Sequence, residues 1–128
     1  MPNSFLLDTD VLIEYLRGKP KAVEYLENLS EEIVISSITV AELFAGVRDE
    51  EERNHLEKFL SAFKVIPVDF EISKTGGLFQ NQYGKKYGTG LADGLIAATA
   101  YHCKATMVTL NQKHYRMLDH LQSPHESQ

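Results

Sequence analysis

Four carboxylates stand in surroundings that hold no other charge. Residues 5–13 (FLLDTDVLI) carry only Asp8 and Asp10, residues 33–47 (IVISSITVAELFAGV) only Glu42, and residues 87–101 (YGTGLADGLIAATAY) only Asp93 at neutral pH. Other acids fall mostly in crowded charged runs such as residues 48–57, where water solvates them. A carboxylate inside an apolar run is expected to be partly buried, and a buried charge requires a partner. No Lys or Arg lies within these three runs, so the partner is either a distant base or a metal ion. Hard oxygen donors of this kind suit Mg²⁺ or Mn²⁺. A single cysteine and the lack of paired histidine spacing argue against zinc.

Each acid also has a plainer role open to it. Asp8 is a favoured turn or capping type, and Asp10 or Thr9 could cap the helix that follows. On a helical wheel Glu42 lies opposite the stripe of Val40, Leu43, Phe44 and Val47, and so could face water; its own side carries Ile38, Ala41, Ala45 and Gly46, which are small and apolar. Asp93 falls in a first helical turn, where any acid gains from the dipole.

The elements that must position these groups alternate. Ser4 to Leu7 reads as a buried strand and residues 11–17 as a helix closed by Gly18; Pro20 opens a second helix over 21–29. Residues 32–36 (EIVIS) form a β-branched strand, followed by a helix over 38–47 with Ser36 or Ser37 as cap. A charged helix over 50–63 precedes a short strand at 65–68, and Asp69 caps a helix running to Tyr87. Gly76 and Gly77 inside it each cost about 1 kcal/mol relative to Ala, which implies close packing or a bend. A helix over 91–103, a strand at 106–110 and a short helix from Asn111 complete the pattern, and the polar chain from Asp119 onward is expected to be loose. The whole of 1–128 reads as one domain.

Strands alternating with helices imply an α/β fold with a mostly parallel sheet covered on both faces. Such sheets bind ligands at the carboxyl ends of their strands. Asp8 ends the first strand, Glu42 lies in the helix after the second, Asp93 starts the helix before the fourth, and Asn111 follows the fourth. All four therefore share one edge.

The totals narrow the class. A net charge of −5 argues against a passive nucleic-acid binder, which draws its affinity from excess Lys and Arg, but leaves room for an enzyme whose metal meets the phosphate. Cys103 has no second cysteine to pair with, which fits a reducing compartment. No basic leader or membrane-length apolar run is present, and the expected location is cytoplasmic.

Four segments, FLLDTDVLIEYLRG, SSITVAELFAGV, GLADGLIAATA and MVTLNQKHY, resemble in order the motifs of PIN-domain ribonucleases, most closely the VapC-type toxins of toxin–antitoxin pairs. The likeness spans about Phe5 to Met117. It implies a three-layer α/β/α domain with a short, mostly parallel sheet of four to five strands and an acidic pocket for Mg²⁺ or Mn²⁺. By position, Asp8, Glu42 and Asp93 match the three main acids. Asp8 and Asp93 would be direct ligands; Glu42 would act through water. Asn111 matches a fourth position that is often Asp, a departure that bears on whether a second ion is held; Asp119 is the nearest substitute. Thr9 and Thr109 match polar positions beside the acids, and Arg48, Lys85, Lys86, Lys113, His114 and Arg116 are the basic candidates for RNA contact. The resemblance further implies RNA cleavage leaving a 5′-phosphate, an antitoxin received by the helices over 38–47 and 50–63, and a homodimer.

Three other classes share parts of the pattern. A haloacid-dehalogenase-like phosphatase would use Asp8-Thr9-Asp10 as nucleophile and acid, but Leu12 and the lack of a later Lys or paired-Asp motif speak against it. A response-regulator receiver would want its phosphoacceptor Asp after the third strand and a Lys at a late strand end; Asp69 begins a helix there, and no Lys ends a strand. A non-catalytic PIN-like binding module would need no metal, and Asn111 is the feature that favours it.

Overall fold

The computed structural model describes residues 4–125. Its elements are β1 (Ser4–Leu7), α1 (Thr9–Leu16), α2 (Pro20–Glu27), β2 (Glu32–Ser36), α3 (Ser37–Ala45), α4 (Glu50–Leu60), β3 (Lys64–Ile66), α5 (Phe70–Tyr87), α6 (Leu91–Cys103), β4 (Thr106–Val108), a 3₁₀ turn (Gln112–Tyr115) and β5 (Leu121–Gln122). The five strands form one parallel sheet in the order β3-β2-β1-β4-β5. β1 is central, with Leu6 opposite Val34 on one side and Met107 on the other.

The period-2 alternation of the strands divides the interior into two cores. Leu7, Ile35 and Val108 face the layer of α1 to α4, where they pack with Val11, Leu12, Leu26, Leu43, Leu56 and Leu60. Leu6, Val34 and Met107 face the opposite layer, against Ile96, Ala97 and Ala100 of α6 and the fully buried Tyr115. The three-layer α/β/α expectation holds.

Side-chain oxygens cap four of the helices. The Asp8 carboxylate accepts from the Thr9 amide, Ser36 from the Ile38 amide, Asp49 from the Glu52 amide and Asp69 from the Ile72 amide. The cap of α1 is thus Asp8, not Asp10 or Thr9. That carboxylate has two duties, which puts its backbone at a fixed point after β1.

Two further expectations are corrected. The third strand lies at Lys64–Ile66 rather than 65–68, since Pro67 has no amide hydrogen to give a ladder. From Asp119 to His125 the chain is not loose, and the rest of that expectation lies outside the described residues: Met107 and Thr109 donate their amides to the carbonyls of His120 and Gln122, and β5 pairs with β4. The Tyr25 hydroxyl also bonds Gln122 at 2.7 Å, and His125 meets Glu14 at 2.9 Å. Backbone ladder bonds and these side-chain ties, rather than any hydrophobic run, order this segment.

The glycines of α5 differ. A methyl group on Gly76 would lie 2.9 Å from the Leu95 Cα, and one on Gly94 would lie 2.5 Å from the Gly76 carbonyl oxygen, so α5 and α6 approach backbone to backbone. Nothing lies within 4 Å of the equivalent point on Gly77. Gly94→Ala should therefore destabilise the fold by about 1–3 kcal/mol or more through overpacking. Gly77→Ala should leave it unchanged or raise its stability by up to about 1 kcal/mol. Urea denaturation of the two variants checks the contrast.

Candidate active site

The site is built from the carboxyl end of the sheet. β1 ends at Leu7, and the Asp8 amide still donates to the Val108 carbonyl at 2.9 Å, so Asp8 is held in register with β4. Its side chain is 6% exposed. One carboxylate oxygen takes the Thr9 amide at 2.8 Å and the other takes the Thr109 hydroxyl at 2.8 Å. Thr109, fully buried just past β4, also accepts the Asn111 amide at 3.0 Å, which turns the chain toward the 3₁₀ segment.

That turn brings Tyr115 under the site. Its hydroxyl donates to Asp93 Oδ1 at 3.2 Å and also reaches the Asp8 carboxylate. Asp93 projects from the first turn of α6, and its other oxygen lies 2.9 Å from His114 Nδ1. Asn111 Nδ2 is 3.1 Å from the same ring nitrogen. The Thr89 hydroxyl, in the link between α5 and α6, donates to the His114 carbonyl at 2.7 Å. Asp8, Asp93, Asn111, Thr109 and His114 are therefore brought into one connected network.

Glu42 joins from the side. The Thr9 hydroxyl donates to its Oε1 at 2.6 Å and shares a 3.0 Å hydrogen bond with Thr39. The rest of Glu42 is exposed, which corrects the expectation that an acid in this uncharged run would be buried. Glu42 and Leu43 both line a groove of about 600 Å³ between α1, α3 and α4. Arg48 lines that groove, where it pairs with Glu52 at 2.6 Å. Lys113 is exposed on the 3₁₀ turn beside His114. Asp119 lines a separate cavity with Lys104 and Ala105, at the start of β4, so it does not substitute for an acid at Asn111.

Two participants escaped the sequence reading. Asp10, taken as a cap, instead turns back toward β4, where its carboxylate accepts the Leu110 amide at 3.4 Å and faces the Thr109 hydroxyl at 3.5 Å. Tyr115 is the buried link between two acids. Its only sequence signal was an aromatic residue soon after the last core strand, which fits any core position equally well.

Burial pushes the Asp8 carboxyl up to about 7, with the neighbouring Asp10 charge adding to the effect and the Thr109, Tyr115 and Thr9 hydrogen bonds opposing it. Burial likewise raises Asp10 to about 6. Among the described residues no Lys or Arg forms an ion pair with Asp8, Asp10, Glu42 or Asp93. Nor do three His, Cys, Asp or Glu side chains among them gather closely enough to hold an ion by themselves. The donor set still fits Mg²⁺, which usually keeps several waters and takes one or two carboxylates plus substrate oxygens rather than an all-protein cage. Asp8 and Asp93, tied through one hydroxyl, offer that pair.

The PIN domain family model matches residues 5–118, and the chain belongs to that family. Its relatives within the family include proteins named ribonuclease VapC. The chain is 39% identical over 124 residues to ribonuclease VapC19 of Mycobacterium tuberculosis, covering 94% of this chain and 98% of the relative. It is 34% identical over 119 residues to toxin FitB of Neisseria gonorrhoeae, covering 81% and 85%. A toxin–antitoxin complex from Klebsiella pneumoniae superposes with a TM-score of 0.82 at 26% identity, over 95% of this chain and 98% of that one. VapBC2 from Rickettsia felis, bound to a DNA fragment from their promoter, gives 0.77 at 27% identity over 94% and 98%.

The raised carboxyls set a pH dependence. An acid that titrates higher folded than unfolded binds more protons when folded, so stability falls as pH rises from the ordinary aspartate value of 3.8 through about 7 for Asp8, and is level above that. In chelator, Asp8→Asn should flatten this slope. Relative to the parent, the variant should gain on the order of 2–4 kcal/mol between pH 4 and pH 8. Denaturant midpoints across that range provide the check.

Proposed function

We propose that this chain is an endoribonuclease dependent on Mg²⁺ or Mn²⁺ and the toxin of a type II toxin–antitoxin pair. The observation that carries the reading is the buried Asp8, tied through Tyr115 to Asp93 at the sheet edge without a Lys or Arg ion pair among the described residues. A site that holds carboxylates charged at neutral pH needs a cation, and phosphodiester hydrolysis uses one.

Asp8 and Asp93 would hold the ion, and Glu42 would bind through water or orient the attacking water. Such an ion, when bound, activates water at neutral pH and offsets charge on the phosphoryl oxygens. The chain's own groups do the positioning. Thr109 and the Thr9 amide fix the two Asp8 oxygens, Tyr115 fixes Asp93, and the Thr9 hydroxyl aims Glu42. His114, against Asp93, and Lys113 beside it are placed to meet a phosphate, while Arg48 serves the more distant groove side. The product would carry a 5′-phosphate.

Relatives solved as toxin–antitoxin complexes support a protein antitoxin as partner, and the groove between α1, α3 and α4 is its seat in this reading. A second copy of the chain is the other expected partner. No helix among the described residues is long and apolar enough to cross a membrane, which accords with work on RNA in the cytoplasm. One observation favours a second reading, a PIN-like module that binds without cleaving. Asn111 stands where an acid is common and turns its amide to His114.

Purified protein freed of antitoxin should cleave a mixed RNA pool with Mg²⁺ or Mn²⁺ and not with chelator. Asp93→Asn should reduce the rate by more than the roughly 100-fold that loss of an outer-shell partner can cost. Cleavage that survives the substitution would remove Asp93 from the site, and none from folded protein with either metal would favour the binding module. Because ligating carboxylates must be deprotonated, Mg²⁺ should raise the melting temperature more at pH 8 than at pH 5.

A further inference from the structure

The last turns of α5 carry aromatic residues for which the catalytic network has no use. Phe79, Tyr83 and Tyr87 recur every four residues and so share one helix face. Tyr83 and Tyr87 are half-buried and stack with ring centroids 6.1 Å apart and planes 25° from parallel; Phe79 meets Tyr83 edge-on at 6.3 Å. Lys85 and Lys86 are exposed in the same turn, and the Lys86 ammonium stands 5.5 Å over the Tyr87 ring. Neither lysine forms an ion pair among the described residues.

The position of this face gives it meaning. Gly88, left-handed at φ 73°, ends α5, and a Cβ there would stand 3.4 Å from His114 Nε2. The other nitrogen of that ring touches Asp93. The end of the helix that carries the stack therefore lies one imidazole away from Asp93. In a chain with five excess negative charges, two free ammoniums beside stacked rings form a local exception.

We propose that this end of α5 is a platform for single-stranded RNA leading to the cleavage site, with bases stacking on Tyr87 and Tyr83 and phosphates meeting Lys85 and Lys86. The inference rests on the ribonuclease reading and specifies how that site takes its substrate. Aromatic faces accept any base, and ammoniums follow the phosphate backbone, which is how unpaired strands are bound without strict sequence choice. In the free protein the Lys86 ammonium occupies a ring face that a base can take, and it then moves to a phosphate.

Binding of a fluorescein-labelled, unstructured RNA oligonucleotide, followed by anisotropy in chelator, provides the test. Tyr87→Ala and Tyr83→Ala should each weaken binding on the order of tenfold, and Tyr87→Phe should restore it. The double variant Lys85→Gln, Lys86→Gln should reduce the slope of log affinity against log salt by about 1.4. Phe70→Ala, which removes a more exposed ring at the other end of α5, should bind as the parent does. The chain has no tryptophan, so Tyr87→Trp creates a single reporter whose emission RNA should quench, even if an alanine variant folds poorly. Parental affinity in folded Tyr83 and Tyr87 alanine variants, or an equal loss in Phe70→Ala, would overturn the platform. A changed oligomeric state with unchanged RNA affinity would overturn it in favour of a contact between copies. Metal-dependent cleavage with unaltered KM in these variants would refute the platform alone, whereas a parent that neither binds nor cleaves RNA would refute both readings.

Discussion

The structure turns on the burial of Asp8. Its carboxylate sits at the junction of the central strand and the first helix, with charge held in place by an amide, a threonine hydroxyl and a tyrosine hydroxyl. Burial works against that charge, and the three donors do not fully offset it, since the carboxyl still titrates near neutrality. The same bonds tie the ends of β1 and β4, already paired in the sheet, to the 3₁₀ turn. A destabilised carboxylate at a strand tip is thus the point where folding and chemistry compete for one side chain.

The second acid reaches that point through packing. α6 has an unusually small face, with Gly94, Ala97, Ala98 and Ala100 all buried. Gly76 and Gly94 let α5 lie against it at backbone distance. The first turn of α6 therefore stays at the sheet edge, where Asp93 meets Tyr115. Larger residues at these positions would move the helix outward and take the carboxylate with it. Glu42 is held more lightly, by one hydroxyl, and keeps most of its surface in water.

Much of this was legible in the sequence because the signals were periodic or local. The runs FLL, EIVIS and TMV mark three strands, and their alternation with helices is enough to place Asp8, Glu42, Asp93 and Asn111 on one edge. What the sequence hid was long-range pairing. Tyr115 links Asp8 to Asp93 across 107 and 22 positions, a relation no local pattern records. Asp10 had the composition of a cap, yet Asp8 took that role and Asp10 turned toward Leu110. β5 was missed because two residues joined by backbone bonds carry no hydrophobic period. Glu42 is more exposed than the partial burial its apolar sequence neighbours imply, because its neighbours in space include solvent.

The sheet also has a consequence for how copies of this chain meet one another. Its outer strands are very short: β3 has three residues and β5 two. Pro67 follows β3 at once, and Lys64 begins it with a charge. Exposed strand edges invite pairing with other chains, and shortness, lysine and proline are the usual means of discouraging it. Without β5, the edge would be β4, whose Met107 and Val108 are buried, next to Thr109 and Asn111. The last strand is therefore a guard against intermolecular sheet growth. The Tyr25–Gln122 bond ties that strand to α2 and so helps to hold the guard in place.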